Sequence, residues 1–122
     1  MERIRKFQDL IVWQKAVELF TLAVKDVERF PKTVTAKIIA NQLISSVGSI
    51  SANIAEGFGR KSHKEFSYHL GVSKGEASES QDWYIKCNRV KYLDEPTVNE
   101  RLSLLDEIIK MLNSLISKIR NS

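Results

Sequence analysis

Apolar side chains along this chain recur at steps of three and four in four separate runs, and no run alternates with a period of two. Leu10, Trp13, Val17, Phe20, Val24 and Val27 make the first. Val12, Ala16, Leu19, Ala23 and Phe30 widen it to about half the helix circumference, beyond the roughly 100° stripe of a helix with one solvated face. Such a helix touches two neighbours within the fold, or turns part of itself to another subunit. Asp9 reads as its N-cap, Pro31 as its stop and Phe7, in the basic lead Met1–Gln8, as an anchor. The second helix is expected from Thr33 or Thr35 to Glu56, with Ile39, Leu43, Val47, Ile50 and Ile54 as its core row and Ile38 and Ile44 beside it. The third follows Ser62 and runs to Tyr92. Phe66, Leu70, Ser73, Ala77 and Tyr84 share one face, Val72, Trp83, Cys87 and Val90 form a second apolar stripe, and Lys64, Tyr68, Lys74, Asp82 and Arg89 lie opposite. In the fourth, opened by Asp94 or Glu95 with Pro96 in its first turn, Val98, Leu102, Leu105, Ile109, Leu112, Ile116 and Ile119 keep an unbroken heptad, with Leu104, Ile108, Met111 and Leu115 in the adjacent row.

The breaks between runs are short, so sequential helices must be antiparallel neighbours. The expected fold is all-α: an antiparallel up-down-up-down four-helix bundle over residues 1–122 as one domain. Stop, turn and start signals are densest in Ile50–Lys64. Gly57 is expected to close the second helix in the left-handed conformation, Gly59 to keep the turn open, and Ser62 with Glu65 to form a capping box. The small residues of Ser45–Ala52 predict tight helix packing. Gly48 within that stretch costs about 1 kcal/mol relative to alanine, which a close backbone approach would explain.

Composition narrows the class without naming a chemistry. Of 122 residues 43% are hydrophobic and 28% charged, with two prolines and five glycines, ordinary for a soluble globular domain of few long elements. The longest apolar run is far shorter than a membrane span, and no signal-peptide pattern opens the chain, so a cytoplasmic protein without membrane contact is expected. Cys87, the single cysteine, cannot form an internal disulfide and reads as a core thiol. The net charge is +4. Arg60–Leu93 holds seven Lys/Arg against four Asp/Glu, whereas the segment from Asp94 holds four against five, so the excess is read as lying on the third helix and the turn before it.

Nearly the whole chain resembles a family of small four-helix-bundle proteins encoded within intervening sequences of bacterial large-subunit ribosomal RNA genes. The opening Phe7-x-Asp9-Leu10-x-Val12-Trp13-Gln14-Lys15-Ala16, the turn Phe30-Pro31, Gln42, Ser49-Ile50, the string Asn53-Ile54-Ala55-Glu56-Gly57-x-Gly59-Arg60, and then Lys64-Glu65-Phe66, Leu70, Gly75 and Glu79 carry the resemblance. It implies a left-handed four-helix bundle and rings of five subunits. A distant relative serves as an accessory protein of reverse transcriptases in diversity-generating retroelements, where a basic ring contacts nucleic acid and polymerase. The family commonly has two arginines where this chain has Ile44 and Ser45. If nucleic acid is bound, Arg60, Lys61, Lys64, Lys74, Lys86, Arg89 and Lys91 have to serve instead.

Nothing in the sequence assembles a catalytic, cofactor or metal site. His63 and His69 are six apart and point to different helix faces, and neither has a glutamate at Glu-x-x-His spacing. Glu56 and Glu79 are a candidate carboxylate pair from facing helices, weighed against Asn53 and Glu56 serving as hydrogen-bond partners at the helix end near Gly57. Gly57-Phe58-Gly59-Arg60 follows a helix and not a strand, which excludes a phosphate loop. The expectation is a non-enzymatic homo-oligomeric assembly module, a ring of five. The alternative is a nucleic-acid-binding adaptor whose basic third helix meets RNA or DNA, accessory to an RNA-processing or reverse-transcription complex and so with a protein partner.

Overall fold

The computed structural model describes residues 4–121. Four helices follow one 3-10 turn at Phe7–Asp9: α1 (Ile11–Val27), α2 (Val34–Phe58), α3 (His63–Arg89) and α4 (Glu95–Arg120). They form the expected bundle. Gly57 and Ser46 of α2 meet His69 and Ser80 of α3, Lys74 and Gln81 of α3 meet Asn113 and Asp106 of α4, and Lys15 and Asp26 of α1 meet Glu107 and Arg101 of α4, so each of these pairs runs antiparallel; Gly48 of α2 lies against Phe20 of α1. One end of the bundle gathers the start of α1, the end of α2, the start of α3 and the end of α4. We call it the hinge end.

The caps explain most element boundaries. Thr33, Ser62 and Asp94 are N-caps, and each side chain accepts a hydrogen bond from the backbone N–H three residues on, at 3.0–3.1 Å. Asp9 is not a cap. It lies in the 3-10 turn, accepts from the N–H groups of Arg5 and Lys6, and leaves Leu10 as the residue before α1. α1 stops at Val27, short of Pro31, and Phe30 folds back into the core. α3 also ends early, at Arg89. Lys91 adopts φ 65°, the N–H of Lys91 bonds to Asn88 O at 2.9 Å and that of Tyr92 to Cys87 O at 2.9 Å, the left-handed closure usually made by glycine. Tyr92 then packs on Phe30, ring centroids 5.2 Å apart.

Gly57 is not a left-handed stop, for α2 continues through it to Phe58. It is small for another reason. A Cβ there would lie 2.6 Å from His69 Cβ, so the helices can touch at this point only through glycine. Gly59 caps α2 with an ordinary right-handed φ of −77°, and a Cβ on it would make only ordinary contacts. Close packing of α2 on α3 continues along the small-residue seam. Ser73 Oγ donates to Ile50 O at 2.8 Å and Ser80 Oγ to Ser46 Oγ at 2.9 Å, which satisfies these buried hydroxyls across the interface.

The core is one cluster drawn from all four helices. Leu19, Leu43, Val47, Ile50, Ile54, Leu70, Ala77, Tyr84, Leu105, Ile108 and Leu112 are fully buried. On α4 the buried row is Val98, Arg101, Leu105, Ile108, Leu112 and Ile116. Leu102 and Ile109 of the expected heptad are only half-buried, so the helix is rotated slightly from that reading and a charged residue occupies a core position. Ile38 and Val90, expected beside the core, are exposed.

Candidate functional site

The buried charge has partners on two other helices. Asp26, at the end of α1, is 2% exposed and Arg101 of α4 8%. Arg101 grips the carboxylate side-on through the Nε–Nη2 edge of its guanidinium, Nε to Oδ2 at 2.9 Å and Nη2 to Oδ1 at 3.0 Å, while the Tyr84 hydroxyl of α3 donates to Oδ2 at 2.7 Å and Arg101 Nη1 donates to Glu100 at 2.8 Å. Burial and the neighbouring carboxylate push the Tyr84 phenol well above its ordinary range, and the hydrogen bond to Asp26 raises the Arg101 guanidinium further. Burial, with the charge of Asp26, lifts the Cys87 thiol to about 11. Each polar atom already has a partner, and Asp26, Tyr84 and Arg101 line none of the hollows described below. Its chemistry is that of a clamp holding three helices together. No signal for it was read from the sequence, although Arg101 continues the row Leu104, Ile108, Met111 and Leu115 one step toward the start of α4.

The candidate carboxylate pair does not form. Glu56 binds Arg60 one turn away at 2.7 Å, and Glu79 accepts from Trp83 Nε1 at 3.3 Å. Because α2 and α3 meet at Gly57–His69 and again at Ser46–Ser80, the two glutamates lie roughly 15 Å apart along the helix axes. Asn53 donates to Ser49 O at 2.8 Å, within its own helix. His69 packs beneath Gly57 and edge-on to Tyr68.

The seven basic residues expected to form one surface separate into two groups. Arg60, Lys61 and Lys64 stand at the hinge end, while Lys86, Arg89 and Lys91 stand at the far end of α3, about 33 Å from Lys64. Lys86 is held by Asp82 at 2.6 Å and lies over the Trp83 ring. Lys74, between the groups, reaches across to Asn113 Oδ1 of α4 at 3.0 Å. At the hinge end the structure adds cations that a count along the chain hides. Arg5 and Lys6 precede α1, and Lys118 and Arg120 end α4. Among the described residues, seven Lys/Arg (5, 6, 60, 61, 64, 118, 120) meet three carboxylates (Asp9, Glu56, Glu65) there, a surplus equal to the whole chain's net charge of +4. Lys118 and Arg120 suit the negative end of the α4 dipole, but Lys61 and Lys64 sit at the positive end of α3, where cations are disfavoured.

This end is hollowed. A groove of about 770 Å³ runs between the first turns of α3 and the last turns of α4, lined by His63, Lys64, Ser67, Tyr68, Gly71, Val72, Ile119 and Arg120. A smaller hollow of about 330 Å³ extends it past Ser67 and Gly71 to Lys74. Another of about 760 Å³ lies beyond Tyr68, toward Arg60 and Ser62. Tyr68 borders both larger hollows and is 68% exposed.

The other side of the bundle differs in character. α2 carries only Lys37 and Glu56 as charges, and by length and composition it is the one described helix that could cross a membrane. In the bundle its Leu43–Ile54 row is central to the core, yet only 28% of its most apolar stretch is buried. Val34 and Ile38 are 76% and 57% exposed, and Ser45 and Ala52 continue that outer face without charge. Beside it on α1, Trp13, Val17 and Phe20 are half-buried and Val24 is exposed.

A profile of the 23S rRNA-intervening sequence protein family matches residues 8–114. The chain belongs to that family. A crystal structure of a protein of unknown function from the S23 ribosomal protein family of Bacteroides thetaiotaomicron is similar to it, with 25% identity and a TM-score of 0.81 over 87% of this chain and 98% of the other. No curated protein matches. In this member of the intervening sequence protein family, Asn53, Glu56, Gly57 and Gly59 close α2 at the hinge end and Glu79 lies midway along α3. They shape the α2–α3 junction through the Gly57 contact and local hydrogen bonds, and they do not converge on one site.

Proposed function

We propose that this protein is a non-enzymatic assembly module that forms a homo-oligomeric ring, with five subunits as the expected number. The observation that carries the reading is the outer face shared by α1 and α2. Val34, Ile38, Ser45 and Ala52 adjoin the stripe of half-buried Trp13, Val17 and Phe20 with exposed Val24, and beside them α2 carries a single charge, Lys37, before Glu56 at its end. Large side chains on one helix beside small ones on the next make a surface that a second copy fills by ordinary ridge-and-groove packing. The lack of the family's two arginines at Ile44 and Ser45 leaves this face more apolar. Size-exclusion chromatography with light scattering tests it. A mass near five subunits at micromolar concentration is expected, falling to a monomer in Ile38→Glu/Ala52→Glu with helical content retained. A monomeric parent protein overturns the reading.

A second reading, a nucleic-acid-binding adaptor, is favoured by the hinge end, where the chain's net positive charge is concentrated around a groove. Binding of this kind weakens steeply with salt because phosphate contact releases counterions. The expected result is a fluorescence anisotropy rise with RNA or DNA that is lost as salt increases. No rise at low salt removes the reading.

A further inference from the structure

We propose that the groove between the start of α3 and the end of α4 holds an unpaired stretch of single-stranded nucleic acid, with phosphates on Lys64, Lys74 and Arg120 and a base stacked on Tyr68. The proposal rests on the nucleic-acid reading above and gives it a site and a substrate form.

Three observations converge. Tyr68 stands between two hollows of about 770 and 760 Å³ with most of its ring in water, and it contributes little to the core. Bases within a duplex are already stacked on both faces, so a ring projecting from a surface finds a free base only in an unpaired strand. Second, Gly71, one turn along α3, leaves the groove floor open, since a Cβ there would have nothing within 4 Å. A sugar-phosphate chain can therefore approach the helix backbone. Third, the cations run along the groove and are not spent on carboxylates. Lys64 and Arg120 line its mouth, and the smaller hollow leads to Lys74, whose partner Asn113 is neutral. From Lys64 to Lys74 is about 15 Å of helix, room for a few phosphates. Among the residues lining these hollows Glu65 is the one carboxylate.

The test uses the full chain with a fluorescein-labelled oligouridylate, an oligothymidylate and a duplex, each about 12 nucleotides long to match typical single-strand sites. Anisotropy is read at about 50 and 200 mM salt. Either single strand is expected to bind more tightly than the duplex. Tyr68→Ala is expected to weaken single-strand binding by about tenfold or more, with Tyr68→Phe close to the parent. Lys64→Gln/Arg120→Gln is expected to lower the slope of log affinity against log salt by about 0.7 per lost phosphate contact. Lys86→Gln/Arg89→Gln, at the far end of α3, leaves binding unchanged. All these positions are at the surface, and circular dichroism confirms that the variants fold. Equal binding of duplex and single strand, an unaffected Tyr68→Ala, or equal displacement by polyglutamate overturns this site while leaving the general reading in place. No salt-sensitive binding to any of the three probes removes both.

Discussion

Removing one member of the Asp26–Arg101–Tyr84 cluster leaves the others buried without a counterpart, and that asymmetry fixes the size of the effect. Arg101→Met takes away the two hydrogen bonds at 2.9 and 3.0 Å and leaves a carboxylate that is 2% exposed with only the Tyr84 hydroxyl. Orphaning one partner of a buried ion pair costs about 3–5 kcal/mol, against a total of about 5–15 kcal/mol for a domain of this size. At a urea slope of about 2 kcal/mol/M the midpoint falls by about 2 M. Asp26→Asn leaves the buried guanidinium with only the exposed Glu100 as counter-charge, through Nη1 at 2.8 Å, and is expected to lose a similar amount. The triple variant Asp26→Leu/Arg101→Met/Tyr84→Phe removes every member at once and is expected to lose far less than the sum of its parts, because no charge is left stranded. The assay is urea unfolding followed by circular dichroism at one protein concentration, since assembly would make stability depend on concentration. Single variants that lose less than about 1 kcal/mol, the range of exposed ion pairs, would refute the clamp, as would additive losses in the triple variant.

Gly57→Ala forces a Cβ to within 2.6 Å of His69 Cβ, a backbone-anchored atom that cannot swing away, and is expected to lose about 1–3 kcal/mol despite alanine's better helix propensity. Gly75→Ala, where nothing lies within 4 Å, is expected to gain about 0.5–1 kcal/mol in the same urea assay. A loss at Gly75 or a gain at Gly57 would contradict the packing described. Lys91→Gly relieves a left-handed residue at φ 65° and is expected to raise the thermal midpoint by a few degrees, corresponding to about 1 kcal/mol. Cys87 holds its proton to about pH 11 in the folded state against an ordinary value of 9.0, so its share of stability is intact below pH 9 and is lost as pH rises toward 11. Native protein at pH 8 is therefore expected to react with a thiol reagent far more slowly than protein in urea, and equal rates would contradict the burial of Cys87.

Helix number, order and antiparallel connection were legible in the sequence because each follows from local rules. Thr33, Ser62 and Asp94 stand where their side chains satisfy the first orphan N–H groups, and apolar steps of three and four face a core whatever the helix then meets. Three boundaries escaped. Asp9 found donors in the chain before it, α2 ran through Gly57, and α3 closed on a lysine, because the competing contacts lay in another segment or in a conformation that sequence marks with glycine.

The site was less legible for the same reason on a larger scale. Counted along the chain, the segment from Asp94 is nearly neutral, with its carboxylates early and, Arg101 apart, its lysines and arginine late. Only the antiparallel return of α4 sets Lys118 and Arg120 beside Lys64 and Arg60, and only the length of α3 carries Lys86, Arg89 and Lys91 away from them. Likewise Asp26 and Arg101 are 75 positions apart and look like ordinary surface charges until the fold removes both from water. Periodicity and capping are properties of neighbouring residues, so the sequence alone determined the helices and their bundle. Which charges gather, which are buried and which faces stay open depend on distances between helices, and these the tertiary structure decided.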